Sequence, residues 1–361
     1  MMNPDPQAPG HSPPPGTIGV AMHGVTLVLD ADHAPLAAYA REHAGSLAQA
    51  PAGVPDLEVF AHWSAGDCAT DALGDGAGLD VIGKRMCGSR DELVWLDPLR
   101  MKGLKLRFRR LGPRWRFDVH YHYTPKPQDK LRPDEEYKRY FSLMSYLVYY
   151  PLMWRLERAR GLVPLHASAL ASPRGGIVIG GLGGVGKTTT CIALLRRPGI
   201  ALVSENLVFT DGAALYSCDE PVRLDRTSLE LLGEVPAALA AMPYPDGLKD
   251  KELFHAVAPR AGPVEPRAVF LPVFSDRRGL RRLSPEVAAE KFAAMNRLTR
   301  ELDDYAWYTS ALDLHWPEPG SSARRVEALR RLAERTCCFE LGIDRAAGVE
   351  AVVDDILQAL A

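Results

Sequence analysis

GIVIGGLGGVGKTTTCIALLRRPGIALVSENLVF, Gly176 to Phe209, decides the reading of this chain. Its core, Gly181-Leu182-Gly183-Gly184-Val185-Gly186-Lys187-Thr188, fits the phosphate-binding loop pattern. An apolar run, Ile177 to Ile179, precedes the loop and a helix-like run, Thr189 to Leu195, follows it, which is the strand, loop and helix setting the motif requires. Glycines let the backbone turn so that successive N–H groups face phosphate oxygens, and the helix brings its positive end to the same anion. The expected phosphate-contacting set is Gly181, Gly183, Gly184, Val185, Gly186, Lys187, Thr188 and Thr189. Lys187 is expected to neutralise the β- and γ-phosphates, and the Thr188 hydroxyl to hold Mg²⁺. The plain alternative is a glycine-rich strand-to-helix turn without a ligand.

With 361 residues and 47% hydrophobic content, the chain can bury a sizeable core, and its length suits two domains or one large domain with an extension. A formal charge of −2 sets up no global field that selects nucleic acid or an anionic membrane. Residues 1–16, MMNPDPQAPGHSPPPG, are proline-rich without an apolar segment and predict a disordered leader, not a secretory signal. No run approaches the length of a membrane span, so a soluble, cytoplasmic protein is expected. Cys68, Cys87, Cys191, Cys218, Cys337 and Cys338 form no CxxC pair and no Cys/His cluster at metal spacing, which favours reduced thiols. The adjacent Cys337 and Cys338 sit in a strand-like segment and read as packing residues, with redox chemistry as the alternative.

Residues 17–125 show short alternating segments and one helical stretch, Pro35 to Ala50, predicting a β-rich or mixed N-terminal domain. The clearest feature is a hairpin, in which Leu104, Leu106 and Phe108 alternate with Lys105, Arg107 and Arg109 before a turn at Leu111-Gly112-Pro113. Trp115, Phe117, Val119, Tyr121 and Tyr123 alternate on the return. Its basic face, with Arg107, Arg109, Arg110, Arg114 and Arg116, suits either an acidic partner or an ordinary solvated sheet surface. His120 and His122 share a face, but two histidines without a third ligand assign no metal. Residues 126–160 comprise a charged linker (126–137) and a packing helix from Tyr137 to Arg160 that Pro151 is expected to kink. Residues 161–361 form the strand-rich core, with strands expected at Leu165–Ala171, Gly176–Gly180, Ile200–Ser204, Asn206–Thr210 and Ala268–Phe274.

The order of motifs in this core resembles the HPr kinase/phosphorylase-type kinases. The resemblance is carried by His166 in LHASAL, the loop GLGGVGKT and LVSEN, followed more weakly by EPVRL (Glu220 to Leu224), AVFLPVF, RLSPEVAAEKF and CCFEL, over about residues 140–361. That family shares its core with phosphoenolpyruvate carboxykinases, which implies an α/β (mixed α+β) fold with a mixed sheet around the loop. The chain has no NKxD guanine-reading motif. It also lacks the apolar strand ending in adjacent Asp-Glu that ABC-type ATPases carry. Residues 17–125 carry no motif of the family.

The resemblance implies in-line phosphoryl transfer from ATP with Mg²⁺ to a hydroxyl. The family's paired acidic motif falls on Glu205 and Asn206, so Glu205 is the expected base, while Asn206 joins Thr188 as a metal ligand that has lost its charge. Glu205 lies 18 residues beyond Lys187 and is preferred over Asp276, which follows Phe274 as a remnant of an acidic strand end. His166 is expected near the γ-phosphate, its alternative being a buried, hydrogen-bonded structural histidine. Arg223 reads as an orienting fork or as a surface ion pair with Asp225 or Glu220. Lys249, Asp250 and Lys251 read as a mobile capping loop or a solvated charge run. The family's substrate-gripping signature, RGxGI-like, is missing, so HPr is not the expected acceptor. A Ser/Thr hydroxyl of a peptide or protein, or a small metabolite, is. The family's members often form rings, which leaves a homo-oligomer open. Asn206 also motivates an alternative from another class, a nucleotide-gated binding or maturation factor with little or no transfer activity. A carboxykinase-like reaction is disfavoured, because its metal-binding His and Lys have no match.

Overall fold

The computed structural model describes residues 16–51, 53–66, 76, 78–125, 135–244 and 251–361. The expected leader apart from Gly16, residues 126–134 of the linker, Cys68, Lys249 and Asp250 lie outside the described residues. The chain folds as a mixed α/β protein with mixed sheets.

The first sheet is built from β1 (Ile18–Met22), β2 (Val25–Ala31), β3 (Ala48–Gln49), β4 (Leu57–Ala65), β5 (Asp80–Gly83), β6 (Met86–Ser89), β7 (Glu92–Leu96), β8 (Leu104–Leu111) and β9 (Arg114–Tyr123). The nine strands run in the order β3-β1-β2-β4-β9-β8-β7-β6-β5. β2, β4 and β9 are parallel, and β5 to β9 form an antiparallel meander. Helix α1 (Ala34–Ala44) lies in the crossover between β2 and β4. It is shorter than the expected Pro35–Ala50 because Gly45 takes φ +50° and ends it, the chain passing through a single 3₁₀ turn into β3. The hairpin forms as its alternation requires: Leu111 pairs with Arg114 across Gly112-Pro113, and Gly112 takes φ +66°.

Helix α2 (Glu135–Met144), a π-helical turn (Ser145–Tyr149) and α3 (Tyr150–Arg160) form one continuous helical path. Pro151 stands in the first turn of α3, so its missing N–H is absorbed by the widened turn instead of a sharp break. Tyr140, Leu143, Leu147, Trp154 and Leu156 on this path are buried against the first sheet, and the same apolar cluster reaches Leu207, Phe209, Leu302, Tyr305 and Tyr308.

The second sheet holds β10 (Val163–Ser172), β11 (Gly175–Gly180), β12 (Ala201–Ser204), β13 (Leu207–Thr210) and β14 (Leu215–Ser217). A small sheet of β15 (Val222–Asp225), β16 (Leu239–Ala241) and β17 (Lys251–Ala256) follows, and β18 (Pro266–Phe274), β19 (Gly279–Arg282) and β20 (Cys337–Ile343) complete the second sheet. Its main path is β14-β13-β10-β11-β18-β20-β19, with β12 also on β10; β11, β18 and β20 are parallel and the other pairs antiparallel. Helix α4 (Lys187–Leu194) and α9 (Gly348–Leu360) cover one face, and α6 (Pro285–Leu298) and α8 (Ser321–Glu334) the other. Ile177 and Ile179 face the first pair and Val178 the second, so β11 is buried on both sides and reads as an unbroken apolar run. Helices α5 (Arg226–Leu232) and α7 (Arg300–His315) flank this core. Cys338 is buried in the α6/α8 layer, and Cys191, Cys218, Cys337 and Cys338 all carry free thiols. No helix among the described residues is long and apolar enough to cross a membrane.

The aromatic seam under α3 gives a stability prediction. Trp154 is 1% exposed and meets Trp115 edge-on at 4.8 Å and Phe117 at 5.6 Å. Trp154→Ala is expected to destabilise the fold by about 3–5 kcal/mol in urea titration; a loss below about 1 kcal/mol would show that the seam carries little of the packing.

Candidate functional site

β11 ends at Gly180, the chain turns through Gly181 to Gly186, and α4 begins at Lys187. Gly181, Gly184 and Gly186 take φ of +128°, +83° and +87°, a region that side chains with a Cβ avoid. A Cβ built on Gly183 or Gly184 meets no atom within 4 Å, so the crest of the loop opens into free space. The first-turn amides of α4 have no partners within the helix and face that same space.

Lys187 is 7% exposed and its Nζ donates to the Leu182 carbonyl at 2.9 Å, folding over the loop it follows. Burial pushes its ammonium down to about 8, with Lys251 and Arg223 acting in the same direction and the Glu205 and Glu301 carboxylates opposing. The Thr188 hydroxyl donates to Glu205 Oε1. Glu205 follows β12, and its carbonyl accepts from Ser168 Oγ at 2.5 Å, which ties the acid to β10. Thr189 turns aside, its hydroxyl donating to Ser228 Oγ at 3.1 Å.

His166, on β10, is 5% exposed, and neither ring nitrogen has a hydrogen-bond partner. Its main-chain N–H donates to Asn296 Oδ1 at 3.1 Å. Burial, reinforced by the Lys187 ammonium, pushes the imidazole down to about 3, so the ring is neutral at physiological pH. The structural alternative of a hydrogen-bonded core histidine does not describe it.

Asn206 Nδ2 donates to Glu220 Oε1 at 2.9 Å. Burial pushes Glu220 up to about 7, against the opposing pull of Arg223 and the Asn206 hydrogen bond. Arg223 pairs with Glu301 at 3.2 Å, not with Asp225, which caps α5 by accepting from the Ser228 N–H at 2.8 Å. Burial raises Glu301, but the Arg223 guanidinium and its own backbone N–H outweigh that and hold it below the usual carboxylate range. These groups surround a cavity of about 740 Å³ whose walls include His166, Gly183, Gly184, Gly186, Lys187, Thr188, Thr189, Glu205, Asn206, Arg223 and Lys251. Gly181 and Val185 shape the loop from beneath and do not line the cavity.

Glu220 was expected only as an ion-pair partner for Arg223, not as the acceptor from Asn206, and Glu301 was not expected at all. Glu301 stands in the first turn of α7, where an acidic residue is ordinary helix chemistry and sends no signal. Asp276 is exposed beyond β18 and outside the cavity. Four of the five arginines of the basic hairpin face are paired, Arg107 with Glu92 at 2.6 Å, Arg109 and Arg116 with Asp118 at 2.7 and 3.2 Å, and Arg114 with Glu58 at 3.1 Å, while Arg110 is exposed with no ion pair among the described residues. His120 and His122 both hydrogen-bond Ser64 Oγ at 3.0 Å.

Compared with known proteins, the chain matches no protein-family model and no curated sequence.

Glu220 provides a pH test. Its folded pKa lies above its unfolded one, so between about pH 4.5 and 7 the native state binds more protons and stability falls as pH rises through that window. Glu220→Gln keeps the acceptor for Asn206 and removes the titration. The variant is expected to match wild type at the acid end and to exceed it by roughly 3 kcal/mol or a little more above the window in denaturant unfolding. Parallel curves would show that Glu220 does not titrate abnormally.

Proposed function

We propose that this chain is an ATP- and Mg²⁺-dependent phosphotransferase of the HPr kinase-like kind, with a phosphoenolpyruvate carboxykinase-like core, acting in the cytoplasm on a hydroxyl acceptor. The observation that carries the proposal is the contact between the Thr188 hydroxyl and the Glu205 carboxylate beside a buried Lys187, at the foot of a glycine loop that opens into a cavity. A plain glycine turn gives no reason to bury an ammonium, a carboxylate and an unpartnered imidazole together. The mixed second sheet, with its parallel trio β11, β18 and β20, supports the same reading.

In this reading the α4 amides and Lys187 hold the terminal phosphates. Thr188 and the Asn206 amide oxygen offer hard oxygen donors of the kind Mg²⁺ takes when phosphates complete its shell. Bound there, the ion neutralises charge on the phosphoryl oxygens. Glu205 takes the acceptor proton, and neutral His166 offers a hydrogen bond to the transferring group. Arg223, held by Glu301, presents its remaining N–H groups to the cavity.

The reading as a nucleotide-gated binding factor draws on Asn206, whose amide is engaged with Glu220 and carries no charge of its own. One experiment separates the two. Wild type is given γ-labelled Mg·ATP with fractionated lysate, and nucleotide affinity is measured in parallel. Glu205→Gln is expected to retain ATP binding and lose transfer by about 10²- to 10⁴-fold, while Lys187→Ala loses both. Transfer undiminished in Glu205→Gln removes Glu205 from the mechanism. ATP binding with no label in any fraction transfers the proposal to the gated factor.

A further inference from the structure

A second cavity, of about 800 Å³, lies where the first sheet and the α2–α3 path meet the elements around the glycine loop. Arg223, Lys251, Arg300 and Glu301 line both this cavity and the one over the loop, so the two share a wall. Three residues that line the second cavity each hold a buried polar atom without a hydrogen-bond partner: His43 Nε2, Arg139 Nε and Tyr149 Oη. His43 and Tyr149 are 2% and 6% exposed. Buried polar groups are normally paired, so three orphans among the residues around one cavity point to a polar ligand that completes the hydrogen bonding.

The charges state what kind. Arg223 is neutralised by Glu301 at 3.2 Å and Arg300 faces Asp304 at 3.6 Å. Among the described residues, no ion pair holds Lys102, Arg139 or Lys251, all of which line the cavity. Glu220, which accepts from Asn206 at 2.9 Å, is the one further carboxylate among the described residues of this lining, against those three cations, so the surplus is positive. Its volume is that of a small-molecule site and its walls carry Phe141, Tyr146 and Tyr150, which would exclude water around a bound organic anion.

We propose that this cavity is the acceptor site, and that the acceptor is a small anionic molecule with a free hydroxyl; the proposal rests on the phosphotransferase reading above. Arg139 and Lys102 hold the anion, Tyr149 and His43 fix its orientation, and the hydroxyl lies at the shared wall. In the step that follows, the hydroxyl oxygen forms a bond to the γ-phosphorus and the bond from that phosphorus to the bridging oxygen breaks. ADP leaves with the electron pair, and the hydroxyl proton passes to Glu205.

The test uses the full chain and one probe, the low-molecular-weight anionic fraction of a cell extract. In one arm the probe is equilibrated with protein lacking nucleotide, and retained compounds are identified by mass spectrometry. In the other, γ-labelled Mg·ATP is added and label is followed into the same compounds. Wild type is expected to retain a hydroxylated anion and to phosphorylate it. Arg139→Gln is expected to lower retention by about tenfold or more with ATP affinity unchanged. Tyr149→Phe, which keeps the packing and removes only the hydroxyl, is expected to lower retention about fivefold. Retention without transfer upholds the cavity as a ligand site and overturns the phosphotransferase reading alone. No retained anion, retention equal in both variants, or label confined to protein overturns the acceptor proposal.

Discussion

A buried ammonium is the constraint from which the rest of this site follows. Lys187 lies under a glycine loop where water cannot solvate it, and such a charge is tolerated only where opposite charge or hydrogen bonds replace the lost solvent. The fold supplies Glu205 from the end of β12 and Glu301 from the start of α7, and both favour the charged lysine. Arg223 then enters as a second cation held by Glu301, with Glu220 close enough to favour its charge. The result is a cluster of alternating sign in which Lys187 is lowered, Glu220 and Arg223 are raised and Glu301 is held low. Phosphate oxygens arriving over the loop would relieve Lys187 most, because they add negative charge where its lowered pKa reports a deficit.

The same cluster is tied to the other half of the molecule. The Tyr150 hydroxyl, at the start of α3, donates to the Glu301 carbonyl at 3.2 Å, and the Arg223 guanidinium lies 5.6 Å from the Phe141 ring of α2. The helical path that packs against the first sheet therefore also touches the residues shared by both cavities. Its π-turn widens the helix between these two contacts, at Ser145–Tyr149, and Tyr149 in that turn lines the second cavity and carries a buried, unpartnered hydroxyl. A strictly α-helical path would rotate the tyrosines of this segment to other bearings.

Features set by local chain geometry were legible in the sequence. The glycine loop reads correctly because its turn needs positive φ at Gly181, Gly184 and Gly186, which only those residues supply cheaply. β11 and the β8–β9 hairpin read correctly because burial on two faces and on one face leave different periodicities. Features made by tertiary pairing were hidden. The hairpin arginines look like a binding surface until Glu58 and Glu92 arrive from neighbouring strands, and Asp118 lies on the hairpin itself, where alternation places it among the arginines but does not reveal the pairing. Glu301 is remote from every motif, and nothing in its own helix distinguishes it from a residue that merely suits a helix start. The overextended α1 is a different failure, a local one: its apolar pattern continues past Gly45, whose positive φ ends the helix.

Asn206 illustrates how a departure from a motif can be dictated by its surroundings. The position faces the Glu220 carboxylate at 2.9 Å in a buried setting. Two carboxylates at that separation cannot both ionise, so an aspartate here would drive one of the pair to hold a proton and would deny Glu220 the donor it now has. The amide resolves this by donating through nitrogen to Glu220 while its oxygen stays available on the other side. The acid at this point is Glu220, just ahead of β15, where burial pushes it up to about 7 against the pull of Arg223. The carboxylate that takes the amide's hydrogen bond thus stands on the wall of the second cavity, and Glu205 remains the acid in direct contact with the loop's threonine.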